Sequence, residues 1–278
     1  MVMVFQKQLH SQTKGKTISK QTIALLKKAS DAYAAVFPPT AHFERAIFVS
    51  WYCSVGDCTF CYMSTQKALI KHPQTAKRTR ESILAEAYLC KRLGWEIEFL
   101  SAGYSGVSSQ ELEFLLKTIT ALYGKKLWLN TGFIPLSLLR VYQPYLEGVS
   151  GSIETLNPVL HNQVCPSKPI APYRKLYEYA QQLGLKKAIT LIIGLGETKE
   201  DFAVTKEFIE QYDIDRITVY ALRPIKGTAF SSPPPLDYYL WWIASLRLAF
   251  KQKTLIAGIW HNDLTTLAPL FDAGANAV

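Results

Sequence analysis

Hydrophobic and polar positions along this chain switch between two periods. Short apolar runs bounded by polar or turn residues recur at residues 45–50 (with Ala-Ile-Phe-Val), 96–101 (Ile-Glu-Phe-Leu), 126–130 (Leu-Trp-Leu), 149–153, 188–193, 217–222 and 255–259. Runs of this length and composition read as buried strands. Between them, apolar residues recur at helical spacing over 80–93, 109–123, 136–145, 172–183, about 198–212, 238–251 and 264–272. An earlier helix spans 19–36, with Ser19 as its cap, a stripe of Ile23, Leu25, Leu26, Ala29 and Tyr33, and Pro38-Pro39 to stop it. Gly184 follows the 172–183 helix as a C-terminal glycine, Thr198-x-x-Asp201 opens the next, and Pro233 to Pro235 break the chain before 238. Residues 275–278 read as the start of an eighth strand.

Strands joined by crossover helices must pair in parallel through right-handed connections. Seven or eight such units predict an α/β fold, a (β/α) TIM-type barrel, closed or partly open, with residues 1–40 as an N-terminal helical extension and 41–278 as the barrel. That barrel stops without the helix that ordinarily follows a last strand. Reactive side chains then belong at the C-terminal strand ends.

Composition narrows this further. The chain has 278 residues, 49% of them hydrophobic, enough for one sizeable core. It has no apolar run of about twenty residues that would span a membrane. The N-terminus, with Lys7, His10, Lys14, Lys16 and Lys20, lacks the apolar stretch of a secretory signal, so a cytoplasmic protein is expected. The net charge of +9 is spread along the chain and does not single out nucleic acid. It suits anionic small molecules or an acidic electron donor equally well.

The chemistry concentrates in Cys53, Cys58 and Cys61, within the run Trp51-Tyr52-Cys53-Ser54-Val55-Gly56-Asp57-Cys58-Thr59-Phe60-Cys61-Tyr62. Three neighbouring thiolates can hold three irons of a 4Fe–4S cluster and leave the fourth open. The alternative is zinc, which takes four ligands, usually as paired knuckles. There is no second Cys-x-x-Cys, and His42 and His72 do not supply a knuckle. Cys90, in a helix, and Cys165, in a loop, complete the five cysteines, which do not form a disulfide framework. Cys165 reads as a small buried residue or a reactive thiol.

The run resembles the cluster loop of the radical S-adenosylmethionine (SAM) enzymes, Cys-x3-Cys-x2-Cys with an aromatic residue before the third cysteine. Phe60 matches that aromatic. The first gap here holds four residues, and Gly56 is expected to absorb the extra one in an unusual backbone conformation. The resemblance continues at the later strand ends. Ser101-Ala102-Gly103-Tyr104-Ser105-Gly106 stands where the family receives the amino group of SAM, and Glu154 where a glutamate contacts SAM. The segment from His161 to Pro169 follows, with Arg174 or Lys168 as the partner of SAM's carboxylate. Ile192, Gly194 and Glu197 match the run against which adenine packs. Leu222 begins a Pro-x-x-Gly-Thr turn, and His261 is a candidate catalytic or substrate-contacting group at the last strand end. The resemblance therefore implies Cys53, Cys58 and Cys61 as metal ligands. It implies Phe60, Tyr62, Ala102, Gly103, Tyr104, Glu154, Arg174, Ile192, Gly194 and Leu222 as cofactor contacts.

The branch so resembled includes biotin synthase, the maturase HydE, 3-methylornithine synthase and the HmdB-type maturases. Cys-Tyr-Met-Ser-Thr-Gln at 61–66, with the lengthened gap, is most similar to the HmdB type, associated with the iron-guanylylpyridinol cofactor of the iron-only hydrogenase. The implied cofactors are a 4Fe–4S cluster and SAM. The implied reaction is reductive cleavage of SAM to a 5′-deoxyadenosyl radical that abstracts hydrogen from a small-molecule substrate. The electrons come from a donor such as a ferredoxin or flavodoxin, with neither membrane nor nucleic acid involved. Biotin synthase itself fits poorly, because neither spare cysteine lies on a predicted strand. A non-catalytic metal-binding scaffold and a zinc-binding barrel are the competing classes.

Overall fold

The computed structural model describes residues 12–13, 16–259 and 264–278. A short antiparallel pair, β1 (Gln12–Thr13) and β2 (Lys16–Thr17), precedes helix α1 (Lys20–Ala34). Ser19 caps α1 as its sequence implied, its side chain accepting from Thr22 N at 3.2 Å. Seven strands then form one parallel sheet in simple sequential order: β3 (Glu44–Ser50), β4 (Glu96–Ala102), β5 (Leu127–Asn130), β6 (Leu146–Glu154), β7 (Lys186–Ile193), β8 (Arg216–Ala221) and β9 (Thr254–Gly258). The connecting helices include α3 (Arg80–Leu93), α4 (Ser109–Tyr123), α5 (Leu136–Tyr142), α7 (Ala171–Gln182), α8 (Phe202–Gln211) and α9 (Leu236–Ala249). Two short helices, α2 (Tyr62–Gln66) and α6 (Pro158–Val164), stand where the hydrophobic pattern predicted loop. Neither is long enough to show a period. α6 does carry a local start signal, Asn157-Pro158, with Asn157 Oδ1 accepting from Leu160 N at 3.0 Å.

The sheet curls into a partly open TIM-type barrel. Residues beyond α10 (Leu267–Asp272) take the place of the expected eighth strand, but only as a bridge: Ala277 pairs in parallel with both Ile256 of β9 and His42, just ahead of β3. Asn276 N donates to Leu255 O at 2.7 Å, and Glu44 N donates to Val278 O at 2.9 Å. The buried Arg247 of α9 holds this segment, giving Nε to Gly274 O and an Nη to Asn276 Oδ1. Helix α1 packs across α9 and α10 on the outside of the same seam.

The N-terminal ends of the strands are plugged. Ala46, Phe99, Trp128 and Ala188 cluster inside the barrel. The register between β3 and β4 shifts where Arg45 and Ala46 face Ile97 and Phe99, so Glu98 is the extra residue of a bulge. Glu98 accepts from Tyr220 OH on β8 at 2.6 and 2.7 Å, and β8 is not a sheet neighbour of β4, so this bond crosses the interior. Arg216 lies 4.1 Å over the Trp128 ring, donates to Glu98 O, and pairs with Glu44 at 3.4 Å. Burial pushes the Glu98 carboxyl up to about 7, against the pull of Arg216. Among the described residues no helix is long and apolar enough to cross a membrane.

Candidate active site

The three cysteines follow β3, at the C-terminal end of the sheet. Backbone bonds tie their loop to the segments that follow three other strands, β4, β6 and β8. Ser54 N donates to Tyr104 O at 2.8 Å, Thr59 N to Val164 O at 2.9 Å, and Ala229 N to Thr59 O at 3.0 Å. Cys61 begins α2, and its carbonyl accepts from Ser64 Oγ at 2.6 Å. The lengthened gap is accommodated as expected, with Gly56 at φ +47°, where a Cβ would meet Cys53 O at 2.8 Å. Gly103 is needed for a different reason. A Cβ there would lie 2.5 Å from Cys53 Cβ and 2.5 Å from Tyr52 O, so the turn after β4 can press against the first cysteine only as glycine.

The wall beside the loop is apolar. Phe60, Val164, Cys165, Leu195 and Leu222 form a buried cluster, with Cys58, Cys61, Leu160, Ile192 and Phe230 packed on it. Next to it lies a buried ion pair. Lys168 Nζ donates to Glu154 Oε1 at 2.7 Å, each side chain 8% exposed. Burial alone would favour a neutral amine, but the Glu154 carboxylate keeps Lys168 protonated well above the ordinary lysine range. His161 fixes the loop carrying Lys168, its ring nitrogens facing Thr155 O at 3.2 Å and Lys168 O at 2.7 Å. Glu154 itself has φ +72°, a strained conformation for a non-glycine residue, worth about 1–3 kcal/mol and held by its surroundings. Tyr104 OH donates to the buried Tyr173 OH at 3.1 Å, continuing the polar arc.

The thiols differ. Cys165, packed in the same apolar cluster as Cys58, is the main influence holding the Cys58 thiol below its usual range, with the Lys168 ammonium adding to it against burial. Burial pushes Cys61 up to about 11.

Phe60, Ile192 and Leu222 therefore meet Cys58 and Cys61, and Glu154 lies close enough for its charge to act on both thiols. Gly103 and Tyr104 abut Cys53 and Ser54. Gly194 and Glu197 stand together after β7, where Glu197 accepts from Gly194 N and Leu195 N at 2.8 and 2.9 Å and so braces the turn. Tyr62 is 43% exposed, edge-on to Trp51 at 6.0 Å. Ala102 faces the outer helices as part of the main core. Arg174 is a correction. It is exposed on α7, 5.3 Å over Phe208 and bonded to Tyr212 OH, away from the cysteines. Lys168, the other cation the sequence offered, is the buried one beside Glu154, whereas Arg174 lies about 100° round α7 from the buried Tyr173 and faces solvent. His261 lies outside the described residues. The contact of Cys165 with Cys58 has no local sequence signal, since more than a hundred residues separate them.

The donor set fits a cluster better than a single ion. Three free thiols come from one loop. A single tetrahedral zinc takes four ligands, usually as paired knuckles, and this loop offers three. A 4Fe–4S cube takes each thiolate on a different iron, so its ligands stand further apart. Asp57 Oδ1, beside Cys58, is buried with no hydrogen-bond partner, leaving an acceptor for a donor group on a bound molecule.

A sequence model described as the Radical SAM superfamily matches residues 50–209. An uncharacterized protein of Methanocaldococcus jannaschii, MJ0597, is 39% identical over 245 residues, 87% of this chain and 68% of that protein. The biotin synthase of Thermodesulfovibrio yellowstonii is 28% identical over 192 residues, 65% of this chain and 58% of the synthase. Among solved structures, methylornithine synthase (PylB) superposes with a TM-score of 0.78 at 20% identity, over 94% of this chain and 78% of that one. At that identity the likeness is one of fold.

Proposed function

The chain belongs to the radical SAM superfamily, and on that premise we propose that it is an enzyme that cleaves SAM reductively to abstract hydrogen from a small-molecule substrate. The observation that carries this reading is the three-cysteine loop at the C-terminal end of β3, facing both the Phe60–Ile192–Leu222 wall and the Glu154–Lys168 pair. The cluster and SAM that this family uses supply, when bound, the electron and the 5′-deoxyadenosyl radical.

The chain's own residues have separable tasks. Cys53, Cys58 and Cys61 each ligate one iron. Glu154 and Lys168 offer a carboxylate and an ammonium, complementary to the amino, carboxylate and ribose hydroxyl groups of SAM. Phe60, Ile192 and Leu222 give a flat ring an apolar bed and keep water from the cysteines. Gly103 and Tyr104 hold the first cysteine against the turn after β4. An acidic ferredoxin or flavodoxin in the cytoplasm is the reductant that suits a chain of charge +9.

The finer assignment is to the HmdB-type maturases, with a role in building the iron-guanylylpyridinol cofactor. It is supported by Cys-Tyr-Met-Ser-Thr-Gln at 61–66 and by the four-residue gap closed at Gly56. Sulfur insertion of the biotin synthase kind is disfavoured. All five cysteines are accounted for, with Cys90 packed in the outer core and Cys165 against the cysteine loop.

The test is anaerobic reconstitution with iron and sulfide, then dithionite and SAM, with 5′-deoxyadenosine as the readout. Product that disappears in Cys58→Ala supports the reading. A stable cluster that never cleaves SAM, with or without pyridinol precursors, points to the scaffold class instead.

A further inference from the structure

Above its floor the barrel is lined by polar groups, where parallel barrels ordinarily stack Val, Ile and Leu. Five adjacent strands, β4 to β8, contribute Ser101, Asn130, Ser152, Thr190 and Thr218. Ser101 pairs with Asn130, and Ser152, Thr190 and Thr218 pair in turn. All five point inward. Ser101, Asn130 and Thr190 lie two residues beyond Phe99, Trp128 and Ala188 of the plug, and a strand returns to the same face every second residue. Thr218 alternates with Arg216 and Tyr220 on β8 in the same way. Ser152 Oγ donates to Asn130 Oδ1 at 2.9 Å, while the neighbouring Gly151 faces the Tyr177 side chain of α7 on the outside. Tyr220 OH reaches across the interior to the Glu98 carboxyl at 2.6 and 2.7 Å. Its ring lies on bare backbone of β9, since a Cβ on Gly258 would collide with it. Ser152, Ile192 and Tyr220 face inward yet are only half-buried, so space inside the barrel stays open at this height.

We infer that this lumen is a chamber for a small, uncharged, hydrogen-bonding substrate, and that Tyr220 and Ser152 are the side chains that read it. An aliphatic occupant would displace water from hydroxyls and an amide without replacing its hydrogen bonds. An ion would enter without a free counter-ion. Arg216, Glu44 and Glu98 are matched to one another at the floor, and Lys168 is held by Glu154 at the rim. The remaining groups offer both senses of hydrogen bond. Tyr220 and Ser152 give their hydrogens to Glu98 and Asn130, which leaves each oxygen to accept, and the Asn130 amide can donate. A molecule carrying an amide, or a hydroxyl beside a carbonyl, satisfies both. A site built this way discriminates sharply, because the wrong ligand leaves buried polar groups unpaired. That the occupant then loses a hydrogen rests on the SAM-cleaving reading above; that it binds does not.

The experiment is anaerobic equilibrium dialysis of the reconstituted protein against four probes that share one ring: benzamide, benzoate, benzylammonium and toluene, each at millimolar concentration. Benzamide is expected to show saturable, stoichiometric binding, and the other three to stay at background. Tyr220→Phe and Ser152→Ala, checked for fold by far-ultraviolet circular dichroism, should each weaken benzamide binding by about three- to tenfold, the loss of one hydrogen bond. Preferential retention of toluene or of either ion overturns the inference. So does benzamide binding that both variants leave unchanged, or no retention of any probe. If Tyr220→Phe does not fold, Ser152→Ala decides alone. The two readings fail separately. Benzamide bound by a protein that yields no 5′-deoxyadenosine keeps the chamber and removes the enzyme. A protein that makes 5′-deoxyadenosine but retains only toluene keeps the enzyme and removes the polar chamber.

Discussion

The two ends of this barrel are built on opposite terms. At the N-terminal end of the strands, charged groups are matched and sealed: Arg216 lies between Glu44, Glu98 and the Trp128 ring, and Arg247 is wrapped in the carbonyls of Gly274 and of the turn between α9 and β9. At the C-terminal end, three thiols are free, Glu154 is strained, and an Asp57 oxygen has no partner. The floor holds the fold together. The rim keeps reactive groups in place at some cost to stability, a division that parallel barrels share. The difference teaches where damage should register. A change at the floor should reach stability first, and a change at the rim should reach metal content first.

The sharpest break in the comparison is at the cysteines. Alanine at Cys53, Cys58 or Cys61 is expected to abolish stable iron incorporation while shifting the melting temperature of the cluster-free protein little. Iron analysis beside calorimetry checks this. Next in size is Arg216→Met. It leaves Glu44 and Glu98 buried without their cation, which should cost about 3–5 kcal/mol in denaturant unfolding. Iron per folded chain should be unchanged.

A pH series sharpens the floor further. Burial raises the Glu98 carboxyl from an ordinary value to about 7. The folded state therefore holds a proton that the unfolded state has released, and stability is highest below the unfolded value and falls as pH rises through 7. Wild type should lose at most about 3 kcal/mol between pH 4.5 and 7.5 from this group. Glu98→Gln should flatten that slope, and equal slopes in both proteins would contradict the assignment. The last variant, Gly103→Ala, sits at the rim and is expected to touch both readouts. Its Cβ would crowd Cys53, costing about 1–3 kcal/mol by overpacking while clearly lowering iron occupancy.

Much of the fold was legible because its signals are local. Arg80–Leu93 and Ser109–Tyr123 appear at their predicted bounds, each with a Thr or Ser cap. Gly56 was legible for the same reason, since one extra residue in a tight loop demands an unusual backbone. The rest depends on contacts distant in sequence. Choosing Lys168 over Arg174 required knowing which face of α7 looks inward and that His161 folds the 165–168 loop back on Thr155. The bulge that turns Glu98 into the barrel shows only in the pairing with β3. The eighth strand is a bridge and not a full strand, because Arg247 and Asn276 supply the hydrogen bonds that a longer strand would otherwise make. Cys165 read as a small buried residue, and it is buried, but against Cys58.

The measurement that reaches the central claim most directly is EPR of the reconstituted, reduced protein with and without SAM. A three-cysteine cluster with an open iron predicts a reduced 4Fe–4S signal that changes when SAM is added, and that is absent from Cys58→Ala. A signal indifferent to SAM, or purified protein that holds one zinc and accepts no iron, would contradict it.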